Sequence, residues 1–130
     1  MTQFDMDDKR KRLQYINVAV VKQLIEDVGR ENLHSLLPLF CDELRQHLSS
    51  LNNQPSLVTI EEISHSFKSS AASFGAEALT SIAQEFEQKA NKKDADWIDL
   101  HLIRYLKIIT YTLTEMELLL VDNKLLDSLF

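Results

Sequence analysis

An all-α fold is what this sequence predicts: a four-helix, up-down-up-down bundle with an additional N-terminal helix covering one end or side. Three observations predict it. The 130 residues include only 2 Gly and 2 Pro, too few for the many turns an all-β fold requires. Apolar residues recur at spacings of three and four, the period of a helix with one buried face. Short polar segments separate five such stretches, as the connections of a bundle do.

The length suits one small domain, since domains run to about 100–150 residues. A dinucleotide-binding fold, a TIM barrel or a two-domain enzyme does not fit in it. With 45% apolar and 26% charged residues, the composition is that of a folded chain. Residues 1–10 are expected to be a flexible N-terminus and 11–130 a single helical domain.

The first helix is read from Leu13, Ile16, Val20, Leu24 and Val28, with Gly29 ending it. A second is expected from about Asn32 to Ser49, its inner face Leu33, Leu36, Leu37, Phe40, Leu44 and Leu48. Pro38 inside this pattern predicts a later start or a bend. A loop follows over Ser50–Leu57. The third helix is predicted to open on a Thr59–Glu62 capping box, to bury Ile60, Ile63, Phe67, Ala71 and Phe74, and to stop at Gly75. The fourth is expected from about Glu77 to Ala90, with Leu79, Ile82, Ala83 and Phe86 inward. Asp94 or Asp96 is a candidate cap for the fifth. That helix is expected from Trp97 to about Leu120, carrying Trp97, Ile98, Leu100, Ile103, Leu106, Ile109, Leu113 and Met116. Val121 to Phe130 either extend it or fold back.

A formal charge of −6 argues against nucleic acid as a partner, because phosphate contacts need clustered Lys and Arg. The run Lys9–Arg10–Lys11–Arg12 follows Asp5, Asp7 and Asp8 and reads as a solvated helix start. The single Cys41 cannot form an internal disulfide and reads as a small buried hydrophobe. The start has no signal-peptide pattern and charges interrupt every apolar stretch, so a cytoplasmic location without membrane contact is expected.

Four histidines raise the question of chemistry. His34, His47 and His101 read as surface or packing residues. His65 differs. Ile63 and Phe67 point inward on either side of it, so His65 points outward. Lys68 and Ser69 lie on its face one turn on, and Ala72 one turn further. Small residues let another body approach closely. A neutral imidazole is a nucleophile suited to carrying a phosphoryl group, and Lys68 would neutralise phosphoryl oxygens. The attacking nitrogen must be unprotonated, so its partner nitrogen holds the proton. A carboxylate on the next helix would fix that tautomer. Glu87 is the candidate, with Gln84 a weaker one. An outward histidine beside a lysine is also an ordinary helix surface, and periodicity alone does not choose between the two readings.

The segment from His65 to Leu79 resembles the signature of histidine-containing phosphotransfer (HPt) domains. The matching residues are His65, Phe67, Lys68, Ser69, Gly75 and Leu79, and the run is most similar to quorum-sensing phosphorelay members. The close match covers about fifteen residues; the looser helical layout covers nearly the whole chain. The resemblance implies that His65 accepts a phosphoryl group from the receiver domain of a hybrid sensor histidine kinase and passes it to a response-regulator aspartate. It implies that Lys68 assists, that Glu87 stands where many members carry a Gln against the imidazole, and that Ser69 replaces the usual glycine of the docking face. Ser64, Ser69 and Ala72 are the expected partner-binding residues; Phe67, Gly75 and Leu79 are structural. No cofactor is expected on this chain, Mg²⁺ belonging to the partner receiver, and a monomer is expected because the carrier face must stay free. The chain shows no kinase segment or nucleotide motif.

Two rivals share these residues. Glu31–His34 and Glu62–His65 have the spacing of di-metal carboxylate bundles, with Glu26 and Glu85 or Glu87 as further ligands. Lys68 and the outward position of His65 oppose that reading. The other rival is a helical adapter or inhibitor that binds a receiver or kinase without carrying phosphate.

Overall fold

The computed structural model describes residues 13–121. Within them the elements are α1 (Val18–Val28), α2 (Arg30–Leu51), α3 (Leu57–Ser73), α4 (Glu77–Asn91) and α5 (Ala95–Val121), with no strand. The Lys9–Arg12 run and residues 122–130 lie outside the described residues. Helices α3 and α4 form the most extensive pair, α5 packs on α4 and α2, and α1 lies against α2. The architecture is all-α, a four-helix bundle with one extra helix, as the spacing predicts.

The first helix starts later than its apolar stripe suggests. Asn17 caps it through Oδ1, which accepts from the Ala19 amide at 3.0 Å. Leu13 and Ile16 are buried but precede the helix. Their stretch is held instead by Glu115 of α5, whose carboxylate accepts from the amides of Gln14, Tyr15 and Ile16 at 2.9–3.1 Å. Those amides therefore have no need of helical partners. The fully sheltered positions of α1 are Val21 and Ile25; Val20, Leu24 and Val28 are half-buried.

Helix α2 runs unbroken through Pro38 rather than starting after it. The proline is exposed, and so is His34, the residue whose carbonyl loses its helical donor. Water can satisfy that carbonyl, which makes an interior proline tolerable there. The third helix also opens earlier than the Thr59–Glu62 box places it. Ser56 is the cap, its Oγ accepting from the Thr59 amide at 3.1 Å.

Gly29 and Gly75 both take positive φ, +87° and +75°. Gly75 follows the end of α3, and its carbonyl accepts from the Asn17 amide at 2.7 Å. That bond docks the start of α1 on the α3–α4 turn.

On α5 the buried stripe is Ile98, Tyr105, Ile109, Thr112, Glu115, Met116 and Leu119. Leu100 and Ile103, which the helix also carries, are exposed. Hydrophobicity alone does not separate them from the buried face. The Tyr105 ring sits at the bundle centre, 4.3 Å from the Phe86 ring and 6.4 Å from that of Phe67. Fully burying a side chain such as Phe67 or Phe86 contributes about 1.5–3 kcal/mol each, so this aromatic cluster anchors α3, α4 and α5 to one another.

Candidate functional site

The site is built from α3 and α4. Ile60, Ile63, Phe67 and Ala71 turn inward, and the helical period then sends His65, Ser69 and Ala72 to the surface. All three are exposed. The His65 side chain is 75% accessible, against 19% for Glu87. Lys68 is half-buried, its stem lying towards α4.

Phe86 fills the core, so the next residue, Glu87, emerges on the side of α4 that faces His65. Its Oε2 lies 2.6 Å from His65 Nδ1. Its Oε1 accepts from Lys68 Nζ at 2.7 Å. One carboxylate thus spans both groups that the sequence singles out. The lysine bond in particular, helped by the bond to His65, holds the Glu87 carboxyl below the ordinary glutamate range. An ionised carboxylate only accepts hydrogen bonds. Nδ1 must therefore carry the proton of the neutral ring, and Nε2 presents its lone pair to solvent.

The surface around the ring is uneven. On the side towards the start of α3 is a cleft of about 460 Å³ lined by Val58, Glu61, Glu62, His65 and Glu87. On the other side are the short side chains Ser69, Ala72 and Ser73, all exposed.

Not every expected residue joins the site. Ser64 is fully buried and cannot line a docking face, because it lies one residue from His65, about 100° round the helix and towards the core. Its Oγ is 3.0 Å from the Tyr105 hydroxyl. Gln84 is exposed, and the ring nitrogen is bonded to Glu87 instead. Phe67 and Leu79 are fully buried.

The remaining histidines lie elsewhere. His34 is exposed. The His101 ring lies 4.3 Å from that of Trp97, tilted by 38°. His47 packs edge-on against Phe67; its Nε2 is 3.4 Å from Glu43 without a hydrogen bond. The residues proposed for a di-metal centre do not converge: Glu26, Glu31, His34, Glu62 and Glu85 are all exposed. Among the described residues no group of three or more His, Cys, Asp or Glu is placed to hold a metal ion. No described helix is long and apolar enough to cross a membrane.

Tyr105 is the residue at this site that sequence reasoning missed. Its signal was a seven-residue step from Ile98 through Tyr105 and Thr112 to Leu119, hidden because two of the four are not aliphatic.

Comparison with known proteins gives a consistent picture. The model of the Hpt domain matches residues 35–125. The chain is 38% identical over 86 residues to the phosphorelay protein LuxU of Vibrio vulnificus, spanning 64% of this chain and 75% of that one. It is 33% identical over 102 residues to LuxU of Vibrio cholerae, spanning 76% and 90%. Against LuxU of Vibrio harveyi it is 36% identical over 78 residues, spanning 58% and 68%. No solved structure matches the chain.

Proposed function

The chain belongs to the Hpt domain family, and on that premise we propose that it is a histidine phosphotransfer protein, taking a phosphoryl group on His65 from one receiver-domain aspartate and giving it to another. The observation that carries the reading is the shared carboxylate: Glu87 bonds the Nδ1 of an exposed imidazole at 2.6 Å and the Lys68 ammonium at 2.7 Å.

The chemistry follows from that arrangement. The Nε2 lone pair attacks the phosphorus of the aspartyl phosphate. An N–P bond forms, the P–O bond to the aspartate breaks, and its electron pair returns to the receiver's carboxylate. The ring keeps its Nδ1 proton and gains positive character, which the Glu87 carboxylate stabilises. Lys68, held at the same carboxylate, is within reach to swing towards phosphoryl oxygens and offset their charge. Transfer to the second receiver reverses these bond changes.

The receiver's acidic pocket supplies Mg²⁺, and this chain supplies a rigidly placed nucleophile and a docking face. Ser69 and Ala72 form the close-approach part of that face. The partners are the receiver of a hybrid sensor kinase and the receiver of a response regulator. The protein acts as a monomeric carrier with no kinase activity of its own.

The test incubates the protein with a phosphorylated receiver domain and Mg²⁺. Acid-labile, base-stable phosphate on the wild type and none on His65→Ala is the expected result. A His65→Ala protein that still relays phosphate contradicts the reading. Receiver binding with no phosphate gained by the wild type makes the protein an adapter.

A further inference from the structure

Resting on that reading, we propose that Tyr105 is a positioning residue for phosphotransfer: its buried hydroxyl sets the rotation of α3 that keeps His65 bonded to Glu87. Tyr105 is fully buried on α5. Its hydroxyl is 3.0 Å from Ser64 Oγ, itself fully buried. Its ring lies 4.3 Å from that of Phe86. Ser64 immediately precedes His65, and Phe86 immediately precedes Glu87. One core side chain therefore touches the chain neighbours of both members of the surface pair.

The two contacts differ in kind. Ring packing resists separation but tolerates small rotations. A hydrogen bond is directional and weakens steeply when misaligned. The other buried residues of α3 are Ile60, Ile63, Phe67 and Ala71, which fill space without fixing an angle. Helix α3 also bonds its neighbours through Ser66 to Glu43 at 2.7 Å, Asn91 to Glu61 at 3.2 Å and Lys68 to Glu87 at 2.7 Å. Those bonds are exposed or half-buried and compete with water, whereas the Ser64–Tyr105 bond is fully buried and resists rotation most strongly. The lever is short: side chains reach about 6 Å from a helix axis, so a turn of about 10° moves the imidazole by about 1 Å. From 2.6 Å such a shift leaves hydrogen-bond range. The Nδ1 proton is then no longer pinned, Nε2 is protonated part of the time, and the nucleophile is lost in proportion.

Tyr105→Phe removes the hydroxyl and keeps the ring. Ser64 can turn its hydroxyl to the carbonyl one turn back in its own helix, so the variant is expected to fold. Two readouts follow. In protein labelled with ¹⁵N-histidine, the neutral wild-type His65 ring shows shifts of the Nδ1–H form, whereas Tyr105→Phe shows values averaged between tautomers. Transfer from a phosphorylated receiver slows about tenfold, the scale of a sub-ångström to ångström misplacement. Ser64→Ala and the double variant Ser64→Ala/Tyr105→Phe give the same ring shifts as Tyr105→Phe, because all three lose one bond.

Wild-type ring shifts in Tyr105→Phe overturn the proposal. So does slowed transfer that tracks a fall in melting temperature and recovers in the double variant. If the wild type is never phosphorylated, the phosphorelay reading fails, and the ring shifts still decide the role of Tyr105.

Discussion

Replacing Gly75 by Ala tests how the N-terminal helix is attached, and Gly29→Ala is its control. Both glycines have positive φ, +75° and +87°, so alanine is strained at either. That strain costs about 1–3 kcal/mol, offset by about 0.4–1 kcal/mol because alanine also restricts the unfolded chain. The positions differ in what the new methyl meets. At Gly29 nothing lies within 4 Å. At Gly75 it would fall 2.8 Å from the Asn17 carbonyl oxygen and 3.0 Å from Val20 Cβ. The start of α1 must then move away. The Asn17 N–H to Gly75 O bond of 2.7 Å weakens, at about 1 kcal/mol, and Val20 loses part of its cover, at about 0.8 kcal/mol per methylene-sized area. Gly75→Ala is therefore expected to be about 2 kcal/mol less stable than Gly29→Ala. In urea, with a slope of about 2 kcal/mol per molar, the midpoints differ by about 1 M. Urea unfolding followed by circular dichroism measures this. Equal midpoints for the two variants would refute the docking role of Gly75.

Other consequences are as direct. Glu87→Ala removes the Nδ1 acceptor and frees Lys68, and is expected to slow receiver-to-His65 transfer by about 10–100-fold, while Glu87→Gln, which keeps one acceptor oxygen, recovers part of the rate; quenched-flow transfer assays that find Glu87→Ala at the wild-type rate contradict this. Because the Glu87 carboxyl is held below its ordinary value of 4.5, its contribution to stability is present above that pH and is lost as the pH falls through the lower folded value. A carboxyl ¹³C titration should give Glu87 a midpoint under 4.5, and a midpoint above it would count against the ion-pair geometry. Burial pushes the Cys41 thiol up to about 11, so a disulfide reagent at neutral pH should leave the native protein unmodified and label it on unfolding; rapid labelling of the native state would show the core open at α2.

Much of the arrangement was readable from residue spacing. The outward placement of His65 follows from Ile63 and Phe67, because helical geometry fixes where the intervening residues point. Glu87 was readable for the same reason: Phe86 is inward, and α3 and α4 are joined by a short turn. Spacing failed where polar groups override it. Leu13 and Ile16 fit a helical stripe, yet the Glu115 carboxylate captures the amides around them and Asn17 starts the helix later. Ser64 looked like a surface residue because serine usually is one; its placement depended on a tyrosine 41 residues away offering a buried partner. On α5 apolar residues fall on more than one face, and the buried face contains Tyr105, Thr112 and Glu115, whose burial depends on partners that composition does not show.

The central claim is that Nε2 of His65 carries the phosphoryl group while Nδ1 keeps its proton against Glu87. Phosphorylating ¹⁵N-histidine-labelled protein from a receiver domain and recording ¹⁵N and ³¹P spectra tests it most directly. The account predicts phosphorus coupled to Nε2 of His65, with Nδ1 still protonated. Phosphate on Nδ1, or on any residue other than His65, contradicts it.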